Sequence, residues 1–162
     1  MVGLLLASEV FSQSATTTTK NIRIDSALQV LRVNQGNAKG MNSLFWLAQT
    51  LATEDPQQAI NYLRAALVLA KKLNATENLI KIYNELGLIY HGDGQYDSSL
   101  FFHRQALRFC SDQSRPCSEA YQGLAVNLLW LSVYDSAKYY LSQAEVIAKA
   151  NNDYEDLAGI YN

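Results

Sequence analysis

Proline is nearly missing: the chain has two in 162 residues. So few helix breakers leave room for long uninterrupted helices. Charge is sparse as well. It amounts to 17% of residues, 13 basic against 15 acidic, for a net charge of −2. No basic run goes beyond Lys71-Lys72, whereas phosphate-backbone binding needs a basic stripe. Nucleic acid is therefore not an expected partner. No apolar run nears the roughly 20 residues that span a bilayer, and no basic amphipathic helix suits a membrane surface. Catalytic signatures are lacking too. His91 and His103 are not in H-E-x-x-H spacing, Gly92-Asp93-Gly94 has no P-loop lysine or dinucleotide spacing, and no serine sits in a G-x-S-x-G elbow. The expectation is no catalytic residue, no metal and no cofactor.

What is present is a pattern that returns three times. Ala59, Ser99 and Ala137 each open the same phrase: a small residue, then Leu63, His103 or Leu141 four on, then Ala66, Ala106 or Ala144 seven on. Small residues seven apart open one helix face to close approach by a neighbour. Upstream of Ser99 stands Tyr83-x-x-Leu86-Gly87-x-x-Tyr90, then Gly94 and Tyr96. The matching places before Ala137 hold Tyr121, Leu124, Ala125, Leu128, Ser132 and Tyr134. Bulky residues three, four and seven apart make an amphipathic helix. Glycine within a helix costs roughly 1 kcal/mol against alanine, so Gly87 reads as a close helix contact. Repeated units of this kind build stacked arrays, which are binding surfaces.

The phrase resembles the tetratricopeptide repeat, W-x2-L-G-x2-Y then A-x3-F then P. The Tyr83–Ala106 copy matches with Tyr for Trp, Ser for the first Ala and His for Phe. The Tyr121–Ala144 copy matches through its small–large alternation. The first copy is degenerate at Ser43, Trp46, Leu47 and Thr50 and clear from Pro56 to Leu73. The family proline is absent after each second helix, and the steps of 40 and 38 residues exceed the usual repeat of about 34. The resemblance implies an all-α, right-handed solenoid of antiparallel helix hairpins. Helices are expected near 25–34, 41–53, 56–73, 76–91, 95–110, 117–132 and 134–150, in three units at 41–75, 76–115 and 116–152.

The two ends read differently. Residues 1–14 look like a short signal-peptide remnant, which points to export or the periplasm, with the cytoplasm as the alternative. Residues 15–23 read as a tether and 24–40 as a leading helix and its connection. Glu77 and Tyr83-Asn84 recur as Glu155 and Tyr161-Asn162, so 153–162 reads as the start of a fourth, truncated unit. Its apolar Leu157, Ile160 and Tyr161 would then favour self-association. The pairing of Cys110 and Cys117 stays open. They are either two thiols packed between units or, in an exported chain, a disulfide.

The resemblance also implies a partner site. In such arrays the first helices line a concave face that takes a protein or peptide. By register the exposed places there are Lys81, Asn84, Leu88 and His91, then Glu119, Gln122, Val126, Leu129 and Trp130. Trp130 is either an exposed anchor or filler at the junction with a fourth unit. Some family members clamp chaperone carboxylates with Lys, Arg and Asn. The matching places here hold Leu44, Ala48, Glu85, Glu119 and Gly123, which offer a carboxylate no donor and two repelling charges. His103 takes a large core slot and reads as a packed, hydrogen-bonded histidine. The tyrosines read as packing residues. Two functions fit: a non-catalytic interaction scaffold, or the sensory N-terminal array of a larger bacterial signalling protein, a histidine kinase or transcription regulator.

Overall fold

Each helix begins and ends where the local chemistry sets it. A computed structural model of the chain describes residues 22–111 and 114–161. The expected leader at 1–14 and most of the tether lie outside these residues. Among the described residues there are eight helices and no strand. They are α1 (22–33), α2 (Ala38–Leu51), α3 (Pro56–Lys72), α4 (Thr76–Gly92), α5 (Tyr96–Leu107), α6 (Arg115–Trp130), α7 (Tyr134–Ala150) and α8 (Tyr154–Tyr161).

Several boundaries move from their expected places. α1 already includes Ile22 and Arg23, assigned to the tether, and the Arg23 guanidinium lies 5.2 Å from the centre of the Trp46 ring. α2 starts three residues early because Asn37 caps it, its side chain accepting from Gly40 N at 3.1 Å. Asp55 caps α3 in the same way through Gln58 N, with Pro56 in the first turn. α5 ends at Leu107, short of the expected 110. Phe109 N and Cys110 N turn back onto Ala106 O and Leu107 O, which tightens the last turn. α6 starts at Arg115 with Pro116 inside its first turn.

One stop signal recurs. Asn74, Gly94, Ser132 and Asn152 all have positive φ, between 52° and 72°. Each follows a helix, and the amide after it bonds back to the carbonyl five residues earlier: Ala75 to Ala70, Gln95 to Tyr90, Val133 to Leu128, Asp153 to Ala148. These are Schellman caps. They reverse the chain at the same place after α3, α4, α6 and α7.

Sequential helices pack as neighbours from α2 through α8, and α4 also packs on α6, and α6 on α8. The small residues of the phrase make this possible. Ala59, Ala66, Ser99, Ala106, Ala137 and Ala144 are fully buried. Around them Leu47, Leu63, Ile82, Leu86 and Leu124 fill the space between helices, and Ala125 is buried as well. Tyr83 is buried and stacks on Phe102 and Phe109, Tyr90 stacks on Phe102 at 5.1 Å, and Tyr121 stacks on Tyr140. Tyr134 departs from the packing reading. It opens α7 on the outer side and is 65% exposed.

Candidate groove on the first helices

α2, α4 and α6 carry the first half of each unit, and a groove of about 490 Å³ runs across them. Seven of the nine residues read as partner-binding line it: Lys81, Asn84, Leu88 and His91 from α4, and Glu119, Gln122 and Val126 from α6. Leu129 and Trp130 lie outside it. Phe45 and Gln49 of α2 also line the groove, as do Glu85, Gly123, Asn127 and His103. The α2 pair went unread because the first copy of the repeat is degenerate there.

Two of the expected contact residues are committed to the fold. Asn84 is 4% exposed, and its Nδ2 donates to Pro116 O at 2.7 Å. Gln122 Nε2 donates to Asp156 Oδ1 at 2.5 Å, while Ser118 Oγ donates to Oδ2. These amides occupy equivalent repeat positions and each ties its helix to the start of the next unit. A buried polar group must find a partner, and here a carbonyl or carboxylate of the next first helix supplies it. Asn84 and Gln122 thus tie successive units together, Asn84 buried and Gln122 half-buried in the groove wall.

His103 is packed, yet its hydrogen bonding is incomplete. It is 1% exposed, Nδ1 meets Asn84 Oδ1 at 3.5 Å, and Nε2 has no partner. Burial, with a smaller push from the nearby His91, lowers its pKa from 6.5 to about 4. The ring is therefore neutral at neutral pH. Gly87 makes the close contact expected of it, and Gly123 of α6 makes a second. A Cβ at either glycine would stand 2.5 Å or less from the His103 ring.

A polar chain links the groove to the second helices. Asn127 Nδ2 donates to Ser99 Oγ and Gly123 O, and Ser99 Oγ donates to Gly87 O. With both amide protons used, Asn127 Oδ1 accepts from His91 Nδ1 at 3.1 Å. His91 also meets the edge of Trp130, and Trp130 stacks on Tyr96 at 5.9 Å. Trp130 remains 64% exposed. Its described ring contacts are with α4 and α5 of the preceding unit. Leu88, Val126 and Leu129 are exposed apolar side chains.

Burial raises the pKa of Glu85 above the usual carboxylate value, partly offset by the bond it accepts from Gln49. Burial raises that of Glu119 as well, opposed by Arg115 at 3.4 Å. Lys81 pairs with Glu77 one turn away. The sulfurs of Cys110 and Cys117 are bonded, with Cα atoms 5.8 Å apart, joining the end of α5 to the start of α6. Among the described residues, no helix is long and apolar enough to cross a membrane and no metal-binding cluster occurs.

Comparison with known proteins agrees with this architecture. The crystal structure of BtubC (BKLC) from P. vanneervenii superposes with a TM-score of 0.68 at 20% identity, covering 81% of this chain. The chain spans 56% of that protein. MamA superposes more loosely, with a TM-score of 0.43 at 17% identity over 88% of this chain and 96% of the other. No curated protein matches the sequence. Residues 41–112, under half of the chain, match the tetratricopeptide repeat family, and the helix hairpins around them continue the same stacking.

Proposed function

We propose that this chain is a non-catalytic interaction scaffold that holds a peptide or protein segment on the concave face of its helix array. The observation that supports this most is the groove across α2, α4 and α6, where seven residues chosen by repeat register meet. It is open, lined by exposed Leu88 and Val126 among polar side chains. Apolar anchors with a polar rim are what a peptide-binding face requires.

The test is a selection of displayed random dodecapeptides on the folded chain. Selected peptides should lose binding to Leu88→Asp and Val126→Asp. They should keep it to Val68→Asp, an exposed site on α3 outside the groove. Peptides indifferent to both groove variants would overturn the reading.

A further inference from the structure

His103 belongs to α5, a second helix, yet its ring reaches the groove formed by the first helices. It enters between α4 and α6, where Gly87 and Gly123 have no side chains. A Cβ at Gly87 would be 2.5 Å from Nε2, and one at Gly123 would be 2.4 Å from the same atom. The tip of the ring thus lies in a window of two glycines. Asn84 donates its amide to Pro116 O, so its Oδ1 faces His103 Nδ1 as an acceptor. Nδ1 then carries the proton, and Nε2 is a buried lone pair with no donor. An unmet buried acceptor is costly, and a ligand that supplies the donor recovers that cost.

The groove holds two further acceptors. Glu85 lies on α4, half-buried and accepting from Gln49, and Glu119 lies on α6, where burial raises its pKa although 44% of its side chain is exposed and Arg115 pairs with it. A cation between them offsets that desolvation. The lysine within the groove, Lys81, is already paired with Glu77. An acidic segment would meet both glutamates and gain nothing at Nε2.

We propose that the groove takes a peptide segment with an arginine flanked by apolar residues, its guanidinium between Glu85 and Glu119 and donating toward His103 Nε2. The planar fork of donors suits several acceptors at once, and the flanking residues lie on Leu88 and Val126. This rests on the scaffold reading and narrows it.

Three capped tripeptides test it by amide-resonance titration of the whole chain: acetyl-leucyl-arginyl-leucine amide, its citrulline counterpart and its glutamyl counterpart. The arginyl peptide should shift Gly87 and Gly123 and bind about tenfold more tightly than the citrulline peptide. Glu85→Gln with Glu119→Gln should remove that preference. His103→Phe keeps the ring volume, and its melting curve checks the fold. It should weaken the arginyl peptide about threefold, as the loss of one hydrogen bond does. Equal or tighter binding of the glutamyl peptide, or a preference for arginine that survives the double glutamine variant, overturns the proposal. So does the absence of an arginine-dependent shift at Gly87 and Gly123. The scaffold reading is then judged separately by the displayed library, which imposes no arginine.

Discussion

Gly87 and Gly123 omit the same atom for the sake of one imidazole. Alanine at either should cost about 1–3 kcal/mol through overpacking. In a His103→Ala background the same changes should cost far less, since the ring is gone. Denaturant unfolding of the four proteins in each cycle measures this coupling, and additive effects would refute the contact. The imidazole also makes stability depend on pH. Its pKa is about 4 in the fold against 6.5 ordinarily, so the unfolded chain binds its proton first as pH falls. The neutral ring's contribution is complete above pH 6.5 and is lost on the way down to about 4, a change of about 3 kcal/mol. His103→Phe should lack this loss. Glu85 and Glu119, with raised pKa values, act in the opposite sense, but they are common to both proteins and cancel in the difference. Repeat register singled out Gly87 from the sequence. It could not show that a histidine from another helix fills the gap, nor that Gly123 forms the other wall, because both depend on how α5 crosses the α4–α6 seam.

The caps explain why the helix ends were only partly legible. Gly94 and Ser132 stand at matching repeat positions, but the expected helices leave Gly94 in a gap and run through Ser132. Only the backbone shows that both need the left-handed region, along with Asn74 and Asn152. Serine is strained there and glycine is not. Ser132→Gly should stabilise by about 0.5–1 kcal/mol, and Gly94→Ala should destabilise by about 1–2 kcal/mol. Thermal unfolding of the two variants checks the signs, and matching signs would contradict the cap geometry. The start of α2 was misplaced because Gly40 hides an Asn37 cap inside what looks like a loop. The end of α5 is held by the Cys110–Cys117 link across a short turn. Breaking that link should cost about 2.5 kcal/mol on the chain-entropy estimate. Unfolding with and without reductant reads it, and an unchanged midpoint would mean that the link adds nothing to the junction.

The array works because each unit is tied to the next by a polar side chain as well as by apolar packing. Asn84 ties α4 to α6, and Asp156 ties α8 to Ser118 and Gln122 of α6. Asp156→Ala should speed amide exchange across 154–161 and leave α4 and α5 unchanged, as a nearest-neighbour array predicts. Equal acceleration throughout would mean that the units do not act in series. The array itself was legible from three small-residue phrases in register. Much of the groove across its first helices was legible too, because register alone fixes which side of a first helix faces inward. The commitment of Asn84 and Gln122 to the fold was not, since a polar residue at a concave position looks the same whether it meets a partner or the next unit.

A partner is proposed to bind in the groove across α2, α4 and α6. The most direct measurement is cross-saturation from a selected, unlabelled peptide to the isotope-labelled chain. Saturation should concentrate on Phe45, Leu88 and Val126, which line the groove. Saturation centred instead on Phe101, Tyr139 or Val146, exposed residues of the second helices, would contradict it.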